Sequence, residues 1–373
     1  MKKAVLIPDS FKGTMSSMEI CSIMKKEILS KFPSCNVVSI PVADGGEGSC
    51  ESFLQALGGK MVNVEVTGPF PNEKVMGHYA MLPDMTAVVE TAAVASLPMV
   101  ENRKDPRNTT TYGVGELVLH AVQNGAKKVI VALGGSCTND AACGLAAACG
   151  VKFYDTNGNS FVPVGGTLKD VARIDVSTLD DAVRNIPIVA MCDIDNPFYG
   201  ESGAAYVYAP QKGADEECVK ELDAGLMHIA TVMKRDLKID VQNIPGAGAA
   251  GGMGGGISAF FNAPLRMGID VVLDCTGFDE TAKDADYIFT GEGRIDSQSL
   301  RGKVVIGVSK RAKELKVPII AVVGDIGDNI QGVYDEGVKA VFSINRVAVP
   351  YTIARTRAKS DLALTMDNIL RVL

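Results

Sequence analysis

Acidic residues recur at one kind of position. Asp9, Asp44, Glu47, Asp140, Asp193, Asp195, Glu292 and Asp296 each fall where a short apolar run gives way to a small, glycine-rich loop. If those runs are strands of one kind of sheet, the carboxylates gather at the strand ends. Like charges so gathered repel unless a divalent cation or basic side chains sit among them. Hard oxygen donors with few histidines suggest Mg2+. His78, His120 and His228 are scattered without metal-ligand spacing, which gives zinc little support. Lys12, Lys212, Arg294 and Lys303 lie in or beside the same loops, where each reads as a solvated surface charge or as a clamp for phosphate or carboxylate.

The glycines pose a related question. The stretch "PGAGAAGGMGGG", Pro245 to Gly256, has glycine at 7 of its 12 positions and fits the G-x-G-x-x-G dinucleotide pattern. That pattern requires a strand before it and a helix N-terminus after it. Here "DLKIDVQNIP" precedes it, with little sustained apolar character, so a dinucleotide site is the weaker reading. A hinge and a backbone cradle for an anion remain, and the cradle is favoured because residues without Cβ let N–H groups approach a phosphate. "GGSCTND" (Gly134 to Asp140) and "DGGEG" (Asp44 to Gly48) place glycines and acids before predicted helix starts in the same way. No segment fits the Walker pattern G-x-x-x-x-G-K-[ST]; "RGKVV" at Arg301 lacks the upstream Gly and the hydroxyl.

The elements that must position these loops alternate. "AVLIPDSFKGT", "NVVSIPVADGGEG", "KKVIVALGGSCTND", "IPIVAMCDIDNPFYG", "ADYIFTGEGRID" and "VPIIAVVGDIGDN" are strand-like runs, most of them followed by helical segments. Ser16-Ser17-Met18-Glu19 has capping-box spacing at the first helix. Such alternation predicts doubly wound parallel sheet, with ligands outside the carboxyl ends of the strands. From Lys60 to Ala93 the runs are short, alternating and joined by turns, which reads as an antiparallel meander. A length of 373 residues predicts two domains. We expect a Rossmann-like α/β domain built from 1–66 and 285–373, and a second α/β domain, 67–284, inserted with the meander at its start. The active site would then lie in the interdomain cleft; two consecutive domains are the alternative. The nine cysteines form no C-x-x-C pair, the net charge is -7 without a basic block, and no run approaches membrane-spanning length. A cytoplasmic protein without nucleic-acid or membrane partners is expected, and a homo-oligomer is compatible with this.

Motifs in order along the chain carry a resemblance: "PDSFKGT", "PVADGGEG", "TTTYGVGEL", "LGGSCTND", "CDIDNPFYGESGAAYVYAPQKGA", "PGAGAAGGMGGG" and "TGEGRIDSQSLRGKVVIGV". The sequence resembles the bacterial glycerate kinase family from its first strand to its end. The resemblance implies ATP and Mg2+ as co-substrate and cofactor, D-glycerate as acceptor, and the 2-hydroxyl as the favoured site over the 3-hydroxyl. It makes Lys12, Asp193 and Asp296 the candidate catalytic residues, with Asp193 and Asp296 also candidate Mg2+ ligands. Asp9, Ser10, Asp44, Glu47 and Arg294 become candidates for glycerate, and Gly134, Gly135, Ser136, Asn139, Gly248, Gly251, Gly252 and Lys303 for nucleotide phosphates. One segment departs from the family pattern: Cys137, Ala141, Ala142 and Cys143 stand where a more glycine-rich "SATNDGGAG" is expected. A NAD-binding oxidoreductase and a small-acid binding protein are the rival classes.

Overall fold

The run "KAVLIP", Lys3 to Pro8, is apolar without alternation, and five of its six residues are buried, as a strand covered on both faces must be. A computed structural model describes residues 1–42, 45–296, 299–301 and 303–373. In chain order its strands are β1 (Lys3–Pro8), β2 (Asn36–Ser39), β3 (Lys60–Thr67), β4 (Lys74–Met81), β5 (Thr86–Glu90), β6 (Lys128–Ala132), β7 (Lys152–Tyr154), β8 (Ser160–Phe161), β9 (Arg173–Asp175), β10 (Ile188–Met191), β11 (Leu265–Arg266), β12 (Tyr287–Gly291), β13 (Arg294–Ile295), β14 (Ile319–Val323), β15 (Asp325–Ile326) and β16 (Val338–Ser343). They belong to two structural units: Met1–Asp44 with Gln55–Leu57 and Met267–Leu373, and Gly45–Leu54 with Gly58–Arg266.

The first unit is built on a five-stranded sheet, β16-β14-β12-β1-β2, in which every pairing is parallel. Counting only this unit's own main strands, the order is 2-1-3-4-5. That is the doubly wound order of flavodoxin-like sheets rather than the 3-2-1-4-5-6 of dinucleotide-binding folds, and it refines the Rossmann-like expectation. The helices Ser17–Lys31 and Tyr351–Leu370 cover one face, closing over Ala4, Leu6, Phe289, Ile320 and Val322. The helix Val304–Leu315 packs against β1, β12 and β14. The capping box forms as its spacing predicts: Glu19 N donates to Ser16 Oγ at 3.2 Å, and Ser16 N donates to Glu19 Oε2 at 3.0 Å.

The second unit contains the six-stranded sheet β11-β10-β6-β5-β4-β3. Its β11, β10, β6 and β5 are parallel, and β4 and β3 extend it as an antiparallel meander. β3 pairs along its whole length, from Lys60↔Met81 to Thr67↔Lys74, so its hydrogen bonds hold it to this sheet. The unit boundaries therefore fall at other places than 66 and 285, and Met267–Asp284 belongs with the first unit. The core closes on Tyr79, Leu117, Phe153, Phe198, Leu222 and Met253, among others.

Candidate functional site

In the first unit the strand order reverses between β1 and β12, which is where doubly wound sheets bind ligands. Two loops leave the carboxyl ends there, from paired residues Pro8 and Gly291. Asp9 N donates to Gly291 O at 2.8 Å, locking the first loop to the second strand. Ser10 N then donates to Asp9 Oδ1 at 2.6 Å. The chain turns tightly through Phe11, exposed Lys12 and Gly13, whose φ is +73°, and Thr14 N returns to Phe11 O at 2.8 Å. Ser17 Oγ donates to Pro8 O at 2.6 Å and accepts Val42 N at 2.9 Å, so one hydroxyl ties this strand end to the residues after β2.

The second loop carries Glu292, Arg294 and Asp296. β13 and β15 pair in parallel, and Arg294 approaches Asp296 at 3.7 Å and Asp325 at 4.0 Å. Asp296 N donates to Ser299 Oγ at 3.2 Å. Glu292 is 5% exposed, and its Oε1 has no hydrogen-bond partner among the described residues. Burial lifts its carboxyl to about 7; Ser299 and Lys303 oppose the shift, while Asp9 and Asp296 add to it. A carboxyl near neutrality at a switch point can exchange a proton with a bound hydroxyl. Lys303 is exposed and precedes the helix Val304–Leu315 as its N-cap residue.

In the second unit, Gly134 to Asp140 follow β6. Gly134 N donates to Gly45 O at 2.9 Å, and a Cβ on Gly134 would lie 2.6 Å from Gly46 Cα, so two glycine-rich loops meet backbone to backbone. Gly135, at φ +76°, accepts Leu97 N at its carbonyl, 3.1 Å away. Asp140 is fully buried; its Oδ2 accepts Thr111 N at 2.7 Å, Thr111 Oγ1 at 2.9 Å and Gly144 N at 3.3 Å. Burial still raises its carboxyl to about 6, against the pull of those donors. Thr138 Oγ1, both polar atoms of Asn139 and Asp140 Oδ1 are buried without hydrogen-bond partners among the described residues. Each such group costs about 1–3 kcal/mol, and folds tolerate this mainly where function requires it.

Lys212 is not the surface clamp its loop suggests. It is 2% exposed, and its Nζ donates to Thr138 O at 2.6 Å and to Ser136 Oγ at 3.1 Å. It holds the Ser136 to Asp140 loop from beneath. Burial lowers its ammonium to about 8 from the ordinary 10.5. Between those values the unfolded chain binds more protons than the folded one, so this group adds stability as pH rises from 8 to 10.5. Lys212→Met removes that gain. Denaturant unfolding of the two proteins at pH 7.5 and pH 10 is expected to show a differential change on the order of 3 kcal/mol.

The opening glycine stretch serves packing first. The helix Ala249–Phe261 is kinked at its start, with Ala250, Gly251 and Gly252 at φ +53°, +71° and +86°. Turns, not a strand, precede it. A Cβ on Gly251 would lie 2.1 Å from Thr138 O, and one on Gly252 2.8 Å from Leu226 Cδ2. Gly248 N donates to Asn196 O at 3.0 Å, linking the stretch to the loop that carries exposed Asp193 and Asp195 after β10. The departure in the family pattern has a backbone counterpart: Ala141 and Ala142 take φ +53° and +58°, where glycine would be unstrained. Ala141 N donates to Gly251 O at 3.1 Å, so the two left-handed segments brace each other.

The sequence candidates thus group by unit. Asp9, Ser10, Lys12, Arg294, Asp296 and Lys303 stand on loops of the first unit; Gly134, Gly135, Ser136, Asn139, Asp193, Gly248, Gly251 and Gly252 stand on the second. Glu47 is exposed in the turn before the helix Ser49–Leu57, and that helix is capped instead by Glu90, which accepts Cys50 N and Gly48 N. Asp44 lies outside the described residues. Glu292 and Lys212 gain weight because burial, which no spacing reveals, sets their protonation.

Comparison with known proteins agrees with this architecture. A family model described as the glycerate kinase family matches residues 4–373. A "Glycerate kinase" of Bacillus cereus is 43% identical over 99% of this chain and 97% of its own. A "Glycerate 2-kinase" of Escherichia coli K12 is 42% identical over 92% of this chain and 91% of its own. A solved structure from Salmonella typhimurium LT2, provisionally assigned as a glycerate kinase 2, superposes with a TM-score of 0.88 at 38% identity, covering 100% of this chain and 98% of the other. With residues 4–373 matched by the family model and most of its length by relatives at this identity, the chain belongs to the glycerate kinase family.

Proposed function

We propose that this protein transfers the γ-phosphoryl group of ATP to D-glycerate, at the 2-hydroxyl. The observation that carries the reading is Glu292, a buried carboxyl held near neutrality beside Asp9 and Asp296 at the switch point of a parallel sheet. The relative from Escherichia coli, named for the 2-position, supports the choice of hydroxyl.

Phosphoryl transfer needs positioning and charge neutralisation more than covalent help. Lys12 and Ser10, on the turn after β1, bind the carboxylate of glycerate or the phosphoryl group in flight, and Arg294 supports the same anion. Glu292 accepts the proton of the attacking hydroxyl late in the transfer. Gly135, Ser136 and Asn139 offer backbone N–H groups to the nucleotide phosphates, whereas those of Gly134, Gly248 and Gly252 already donate to Gly45 O, Asn196 O and Gly248 O. Lys303 adds a charge. The donor set suits Mg2+, since these groups are carboxylates. Among the described residues, though, no trio of them converges within 4.8 Å. A cation held mainly by phosphates and by a single carboxylate, Asp193 or Asp296, fits that arrangement. When bound, Mg2+ supplies neutralisation of phosphate charge.

ADP release with Mg-ATP and D-glycerate tests the reading. Turnover that requires D-glycerate supports it; NADH oxidation with a keto acid, or ligand-induced stabilisation without turnover, would replace it with one of the rival classes. Lys12→Ala is expected to lower kcat/KM at least tenfold, about 1.4 kcal/mol, with an unchanged melting profile. Kinetics near those of the unaltered protein would reduce Lys12 to a surface charge.

A further inference from the structure

Cys50, His78 and Glu90 stand far apart in the chain and come together in the second unit. Cys50 is the second residue of the helix Ser49–Leu57. His78 lies on β4, one step before Tyr79, which pairs with Val89, so it faces Glu90 at the end of β5. One sulfur, one imidazole nitrogen and one carboxylate oxygen all lie within 4.8 Å of one another. Cys50 and Glu90 are buried and His78 half-buried, yet its Nε2 is shielded and has no hydrogen-bond partner among the described residues. A shielded ring nitrogen without a partner, facing a thiol and a carboxylate, is costly unless something accepts its lone pair or its proton.

We propose that Cys50, His78 and Glu90 form a Zn2+ site that staples the helix Ser49–Leu57 to β4 and β5. The chemistry of the donors selects the ion. Thiolate and imidazole favour Zn2+ and disfavour Mg2+, and three protein ligands leave one tetrahedral position for water. Binding needs the thiolate, so the Cys50 proton passes to solvent and the bond from Sγ to Val88 O, 3.2 Å long, is given up. The donors must also draw together, because zinc ligands sit at about 2.0–2.3 Å from the metal. Glu90 keeps lone pairs for the metal while accepting Cys50 N and Gly48 N. The site is independent of the phosphoryl-transfer reading.

The test is titration of the metal-free full-length protein with Co2+ and then Zn2+. The expected result is saturable Co2+ binding with a sulfur-to-cobalt charge-transfer band, abolished by Zn2+ and unaffected by excess Mg2+. Cys50→Ser should remove the band, and His78→Ala should weaken binding at least tenfold. Zn2+ should raise the melting temperature of the unaltered protein but not of His78→Ala, as linkage requires. His78→Ala, at a half-buried position, decides the matter if Cys50→Ser does not fold. No saturable binding at micromolar Zn2+, or binding undiminished in His78→Ala, would overturn the site and place any bound metal on other thiols.

Discussion

Glu292→Gln is expected to lower kcat by about 10²–10⁴-fold while making the protein more resistant to unfolding above neutral pH. The two effects have one cause. Burial raises this carboxyl from 4.5 to about 7 in the folded protein. Between those values the folded state binds more protons than the unfolded chain, so stability falls as pH rises through the window, and above about 7 the full cost is present. The shift corresponds to an expense on the order of 3 kcal/mol. Gln keeps the shape and cannot ionise. Denaturant unfolding at pH 5 and pH 8.5 should therefore show Glu292→Gln gaining on the unaltered protein at the higher pH. A variant that keeps full activity would make Glu292 a packing residue, and the base would have to be sought elsewhere.

Gly251→Val is expected to abolish folding or to cost more than about 4 kcal/mol, the range reserved for steric disasters in a core. A Cβ there would lie 2.1 Å from Thr138 O and 2.6 Å from Asn139 Cα, at a backbone φ of +71° that β-branched residues avoid. From sequence alone the same change should obstruct a phosphate and spare the scaffold. The structure reverses the second half of that expectation, because this glycine touches the loop it was expected only to resemble. Circular dichroism and thermal unfolding of the purified variant check it. A melting profile like that of the unaltered protein would mean the Thr138 loop can move aside.

These two residues mark the limit of what was legible. The strand and helix alternation, the capping box at Ser16 and the Lys60 to Ala93 meander all follow from local pattern, and local pattern survives in a folded chain. So does the placement of acids and glycines at strand ends, since parallel sheets require loops there. What the pattern could not contain is burial. Lys212 reads as a surface cation but lies beneath the Ser136 to Asp140 loop, and Glu292 reads as one acid among many. Nor does spacing along the chain reveal Cys50, His78 and Glu90, which meet only because antiparallel pairing sets His78 against Glu90. The glycines of the 245–256 stretch show the converse limit. Their number signals close approach, but whether to a phosphate or to another backbone depends on what the fold brings near.

Phosphorylation of glycerate at its 2-hydroxyl leaves a signature in the NMR spectrum of the product formed from D-glycerate, Mg-ATP and the purified protein. The expected result is a single phosphate resonance coupled to the one proton on the carbon beside the carboxylate. Coupling to two methylene protons would place the phosphate on the 3-hydroxyl, and no phosphorylated acid at all would rule out glycerate phosphorylation by this chain.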